Sequence, residues 1–228
     1  MLYKTRGIVI NYIRYRETSV IVKIYTQEFG IQSYIENGVR SSKSKNKIAL
    51  FQPLTLLDLV VYHKKNTGLH RLAEIKCFQP FQSIPFNFYK SSIGIFITEI
   101  LSKTLQEEVS NPPLFQFLFE SMLWLDETEG HFENFHLQFL LELSNYLGFR
   151  PQTGKEITQQ LTEHQYGHFD QDSIRFLDEL LNSSFQNPPQ INRAFRNHVL
   201  EIILKFYHLH IEGLGEIKSI SILQEMMR

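Results

Sequence analysis

Residues 3–38 read YKTRGIVINYIRYRETSVIVKIYTQEFGIQSYIENG, and the alternation inside them decides the fold. Ile8, Ile10 and Tyr12 fall on one face of the first run and Gly7, Val9 and Asn11 on the other. Val20, Val22 and Ile24 then alternate with Ile21, Lys23 and Tyr25, and Ile31, Ser33 and Ile35 with Gln32 and Tyr34. Period-two patterning rich in Ile, Val and Tyr predicts strands. Gly30, closing Gln27-Glu28-Phe29-Gly30, supplies the positive φ of a tight hairpin. The chain thus opens as a β-meander and runs into a cationic, Ser-rich loop, Val39 to Lys47.

Two further strands follow, Leu54–Tyr62 and Leu69–Cys77, joined by a turn at Asn66-Thr67-Gly68. Five short strands in about 80 residues with no helix between them predict a small closed barrel of the five-stranded oligonucleotide-binding (OB) type. Gln79-Pro80 to Ile84-Pro85 marks a boundary, after which the period becomes helical. The apolar stripes predict helices over 86–107, from Asn111-Pro112-Pro113 through Leu125, over 133–147 with Gly148 as C-cap, over 172–181 and over 190–212. A short last helix opens at Lys218-Ser219-Ile220. Residues 150–169 are polar and weakly patterned, and read as an irregular excursion with one short turn of strand or helix. The expected organisation is an OB-fold DNA-binding domain over 1–80 and an all-α helical domain over 81–228.

Hydrophobic residues make up 43% of the 228, ample for a core, and no window of about 18 apolar residues suggests a membrane span. No leader is expected, and the single Cys77 fits a reducing cytoplasm. The formal net charge of −1 hides a split. Residues 1–80 carry 13 Lys/Arg against 5 Asp/Glu, or +8, and residues 81–228 carry 10 against 19, or −9. A basic β module points to a polyanion. The plainer reading is solvated charge that happens to be uneven.

No phosphate-binding Gly-rich loop, GxSxG elbow or acid/base pair is present, so the chain does not read as an enzyme. Cys77 reads as core, and Asp126-Glu127-Thr128-Glu129 as a solvated helix end. His164 and His168 lack further ligands for a metal. The strongest chemical signal is the loop, where Arg40, Lys43, Lys45 and Lys47 are spaced by small residues that suit phosphates. Arg14 flanks the first hairpin, and Lys64, Lys65 and Arg71 the last. Tyr12, Tyr15, Tyr34 and Tyr62 are either stacking surfaces between these cations or barrel core.

Several stretches, in order, carry a resemblance: Gly7-Ile8-Val9-Ile10, Arg14-Tyr15-Arg16-Glu17-Thr18-Ser19, Tyr25 to Gly30, Asn37-Gly38-Val39-Arg40, Leu50 to Leu54, Leu147-Gly148-Phe149-Arg150-Pro151, and Lys218 to Leu223. Together they resemble the bacterial recombination mediator RecO family over nearly the whole chain. The resemblance implies an N-terminal OB fold, a helical C-terminal domain, and binding work without a cofactor. It implies single- and double-stranded DNA, RecR and the C-terminal tail of the single-stranded-DNA-binding protein as partners. Loading of RecA on coated DNA follows indirectly, in the cytoplasm at the nucleoid. A tail ending in a carboxylate needs a cation beside an apolar slot, and Arg150, Arg193 and Arg196 are the candidates. Many family members carry a four-cysteine zinc site after the Leu-Gly helix end. Residues 150–169 hold no cysteine, so a zinc-free variant is expected. Two other readings stay open: a regulatory subunit whose β domain binds a small anion, and an RNA-binding OB protein.

Overall fold

The computed structural model describes residues 1–39, 47–64 and 67–226. Five strands form a closed barrel: β1 (Leu2–Tyr15), β2 (Ser19–Thr26), β3 (Gly30–Glu36), β4 (Leu56–Tyr62) and β5 (His70–Gln79), in the order β1-β2-β3-β5-β4. Closure depends on the length of β1. Its first half pairs with β4, from Leu2↔Tyr62 to Ile8↔Leu56, and its second half with β2, from Gly7↔Thr26 to Tyr15↔Ser19. The seam between β3 and β5 is a short parallel pairing, Tyr34↔His70 and Ile35↔Arg71. Every strand thus has a neighbour on both sides, although the β3–β5 side is joined at these two positions only.

The β1 pattern departs from simple alternation. The register jumps from Val9↔Ile24 to Asn11↔Lys23, so Ile10 is the extra residue of a bulge. A bulge reverses the in–out phase beyond it. Tyr12 therefore joins Val9 against the barrel core, with Val22, Tyr34 and Leu59, and does not share a face with Ile8 as the alternation predicted. Ile8 and Ile10 are buried all the same, because the strand is covered on its outer side too. Helix α1 (Phe88–Thr104) lies against β1, where Asn11 Nδ2 donates to Ser102 Oγ at 2.9 Å. Gly7 is needed because a Cβ there would sit 2.6 Å from Ile24 Cγ2. A 3-10 turn at Lys47–Phe51 places Phe51 in the core.

Two compact units result, Met1–Asp126 and Glu127–Arg228. The first holds the barrel, α1 and α2 (Pro112–Glu127, its last residue apart), so the compact unit continues past the strand-to-helix change at Gln79–Phe88. Gly30 shows how tightly the chain between those helices is laid on the barrel. Its φ is +62°, and a Cβ would meet Glu107 O at 2.4 Å, while Ile31 N donates to that same carbonyl at 3.1 Å. Asp126, read above as solvated, is 5% exposed. Its carboxylate accepts the N–H groups of Gln82, Ser83 and Ile84, each at 2.8 Å, and so pins the turn into α1.

The second unit contains α3 (Phe135–Tyr146), α4 (Gly154–Glu163), α5 (Gln171–Leu181), α6 (Arg193–His210) and α7 (Ile220–Met226). Gly148 ends α3 at φ +87°, with Gly148 N bonded to Asn145 O and Phe149 N to Ser144 O, a Schellman closure. Helix α4 corrects the reading of 150–169 as irregular. It buries only Gly154, Ile157, Thr158 and Leu161, too narrow a stripe to stand out among polar neighbours. Its start is nevertheless written locally: Thr153 Oγ1 accepts from Glu156 N at 3.1 Å, and Glu156 reaches back to Gln152 N at 2.7 Å. Helix α6 begins at Arg193 rather than at residue 190, with Asn192 as its cap. Among the described residues no helix is long and apolar enough to cross a membrane.

Candidate nucleic-acid interface

Of the eight cations singled out in the basic half, Arg40, Lys43, Lys45 and Lys65 lie outside the described residues. The barrel register relates the others. Arg14 is exposed on β1, opposite Val20, which is opposite Glu36 at the end of β3. Glu36 holds Lys47 in an ion pair that closes the base of the loop between them. Arg71 is exposed on β5, between Ile35 on β3 and Tyr62 on β4. With strands about 4.8 Å apart, Arg14 and Arg71 stand on the order of 15 Å apart around the wall. Lys64 is exposed at the start of the β4–β5 hairpin, where its carbonyl accepts from Thr67 Oγ1 at 2.8 Å.

Following the cross-strand partners brings out a feature missed in the sequence. Ile13, Ile21, Ile35, Arg71, Tyr62 and Leu2 are successive partners, an unbroken outward row on β1, β2, β3, β5, β4 and β1 again. Ile13 is 60% exposed and Tyr62 52%. The neighbouring row is Asn11, Lys23 and Ser33. In these rows Tyr62 offers a flat ring and the isoleucines offer apolar contact, beside the cations Arg71 and Lys23. The signal was the alternation itself, but only the bulge at Ile10 puts Ile13 outward.

The four tyrosines divide. Tyr34 is fully buried, and its hydroxyl pKa is pushed well up, chiefly by burial. Tyr12 packs on the barrel core, so neither is a stacking surface. Tyr15 lies under the Arg16 guanidinium at 5.2 Å, and Tyr62 is open. A column of rings braces the hairpin of Lys64: Phe29 stacks on His63 at 4.1 Å, and His63 on His70 at 4.6 Å. Arg6, not singled out in the sequence, sits 4.2 Å over the Phe78 ring and 3.5 Å from Asp58.

In the second unit the three candidate arginines are not equivalent. Arg150 pairs with Glu142 at 2.8 Å. Arg196 is half-buried, donates to Asn134 Oδ1 at 2.7 Å and Ile191 O at 3.3 Å, and has its pKa lowered by burial. Burial, with Arg196 nearby, pushes the His136 imidazole down to about 3, so this corner is a neutral-histidine core. Arg193 is exposed and donates to Gln224 O at 2.6 Å. Residues 150–169 hold no cysteine to ligate zinc, and His164 Nδ1 lies 2.8 Å from Gln160 O. Among the described residues no cluster of three or more His, Cys, Asp or Glu is arranged to hold a metal.

Comparison with known proteins agrees with this architecture. A family model described as "Recombination protein O N terminal" matches residues 1–81, and one described as "Recombination protein O C terminal" matches residues 85–219. The DNA repair protein RecO of Bacteroides fragilis is 36% identical over 248 residues, covering 99% of each chain. The proteins of that name from Phocaeicola vulgatus and Flavobacterium johnsoniae are 35% identical over 247 residues and 36% over 237, with the same coverage.

Proposed function

The chain belongs to the RecO family of DNA repair proteins, and from that membership we propose that it acts as a recombination mediator. It binds single- and double-stranded DNA, anneals complementary strands and, with RecR, helps to load RecA on strands coated by the single-stranded-DNA-binding protein. One observation carries the DNA-binding reading: the outward row Ile13–Ile21–Ile35–Arg71–Tyr62, flanked by Lys23, Arg14 and Lys64, on the half of the chain that carries +8. Apolar and aromatic side chains take unstacked bases of any sequence, and the cations and the loop Arg40–Lys47 take phosphates. The acidic helical half then keeps DNA to the barrel and receives protein. For the carboxylate of a partner's tail, Arg193 is favoured, being exposed and bonded to an uncharged carbonyl, Gln224 O, whereas Glu142 neutralises Arg150 and Arg196 is half-buried against Asn134.

The test is a salt-titrated binding assay on single strands, duplexes and an RNA strand of the same sequence. Each phosphate neutralised contributes about 0.7 to the salt slope on single strands. Replacing Lys43, Lys45 and Lys47 together by Ala is expected to lower the slope by about 1.4, because Lys47 is already paired with Glu36. The loss is expected to be alike across sequences. A folded triple variant with unchanged affinity and slope removes the loop from the interface, and tighter binding of RNA than of DNA favours the RNA reading.

A further inference from the structure

Residues 1–80 hold five acids, and their placement is uneven. Glu28, Asp58 and Glu74 line one cleft on the wall of β1, β4 and β5, together with Lys4, Arg6 and Lys76. Glu17 sits in the turn between β1 and β2. Glu36 alone of the five borders the basic loop in sequence, and its carboxylate takes Lys47, the last cation of that loop, in an ion pair. The pair is not what anchors the chain on either side. Val39 is buried in the barrel core, and so is Phe51, with Ile48 and Leu50 packed against the same core. Asn37 is tied separately, its Oδ1 accepting from Ser19 Oγ at 2.9 Å. The Glu36 side chain is 14% exposed and that of Lys47 34%, so the carboxylate is largely withdrawn from water while the lysine stays within reach of a ligand.

We propose that Glu36 limits the affinity of the DNA interface: its carboxylate occupies Lys47 as a phosphate would, and withholds that cation from the bound strand. The inference rests on the DNA-binding reading above and adds a residue that works against it. A phosphate that took Lys47 would leave a withdrawn carboxylate without its cation, which is costly. It would also lie beside that negative charge. Both effects oppose the contact, and neither depends on base sequence. Arg14 stands two strands away from Glu36, across Val20, or about 10 Å, and with the other loop cations it holds the strand instead. A protein that pairs one strand with another must also release them. An acid of its own chain, set against one cation, caps how tightly it holds either.

The experiment is a double-mutant cycle on the full chain: wild type, Glu36→Gln, Lys47→Ala and both substitutions together, each titrated with an oligothymidylate at several salt concentrations. Glu36→Gln is expected to bind up to about fivefold tighter, the worth of one partly exposed ion pair. Its salt slope is expected to steepen by about 0.7, one more phosphate neutralised. Lys47→Ala is expected to keep the wild-type slope, and the double variant to lose the gain. With ¹⁵N-labelled lysine, the Lys47 ammonium signal, identified by its loss in Lys47→Ala, is expected to stay in place when DNA is added to the wild type and to move in Glu36→Gln. Melting temperatures of wild type and Glu36→Gln are expected to agree, and a marked fall would make the pair a brace and overturn the proposal. A Glu36→Gln chain with wild-type affinity and slope overturns it too, and leaves DNA binding standing. So does a gain that survives in the double variant, since it would come from lost negative charge and not from Lys47. A wild-type chain with no affinity for the oligonucleotide removes the DNA-binding reading, and the proposal with it.

Discussion

Asp126 shows how much one side chain decides. Burial on its own would raise the pKa of its carboxyl, but the N–H groups of Gln82, Ile84 and Ser83 outweigh burial and hold it below the ordinary value of 3.8. A depressed carboxylate stabilises the fold above its unfolded pKa, and the contribution is lost as pH falls through the lower folded value. Asp126→Asn is expected to cost about 2–3 kcal/mol at pH 7, the scale of hydrogen bonds to a charged group, and to flatten the acid limb of stability against pH below about pH 4. Urea unfolding across that range measures both. Lys90 belongs to the same knot: it is 2% exposed and donates to Ser83 Oγ at 2.7 Å and Asp126 O at 3.0 Å. On the barrel wall, Tyr62→Ala is expected to weaken single-strand binding by about 1–3 kcal/mol if one base stacks there, with a smaller effect on duplex, whose bases are already stacked. Fluorescence titration of both substrates checks it, and equal losses on the two would remove Tyr62 as a stacking surface.

Among the elements, α4 was the one missed, and its reason is packing rather than propensity. Gly154 opens the helix where it touches α5: a Cβ would lie 2.3 Å from Ile174 O and 2.8 Å from Leu177 Cβ. Its N–H also donates to Asp178 Oδ1 at 2.7 Å. In an isolated helix Gly→Ala gains up to about 1 kcal/mol. Here the clash is with backbone and a buried leucine, so overpacking wins and Gly154→Ala is expected to destabilise by about 1–3 kcal/mol. Thermal unfolding measures it, and a raised melting temperature would contradict the close α4–α5 approach. The β1 bulge is the other element-scale decision. One extra residue at Ile10 sends Tyr12 inward and Ile13 outward, and so creates the exposed row on which the DNA-binding reading rests.

For the molecule as a whole, the barrel's outer wall depends on helices that follow it. Tyr25 stacks on Phe115 at 6.3 Å and Phe78 packs on Phe119 at 5.3 Å, both rings belonging to α2, while α1 lies on β1. A fragment of residues 1–126 is therefore expected to unfold cooperatively, whereas 1–80 would expose Ile8, Ile10 and Tyr25 to water. Circular dichroism melts of the two fragments check this, and a cooperative melt of 1–80 would show that the barrel stands without the helices. The charge split acts at the same scale, since +8 on residues 1–80 and −9 on the rest steers a phosphate chain toward the barrel.

The amino-acid order by itself determined the strands, most of the helices, the Gly30 hairpin and the Gly148 helix end. Each rests on a local rule, whether a period of two or 3.6 or a residue that tolerates positive φ. It also determined where positive charge gathers, because composition survives any folding. Tertiary structure alone decided the barrel order, which needs the long β1 to serve two partners, and the bulge, which shows only against a neighbouring strand. It alone decided that Asp126 is buried while Tyr62 is open, and that Lys47 is paired with Glu36. These are relations between residues far apart in the chain or across a strand pair, and no local pattern encodes which distant groups will meet.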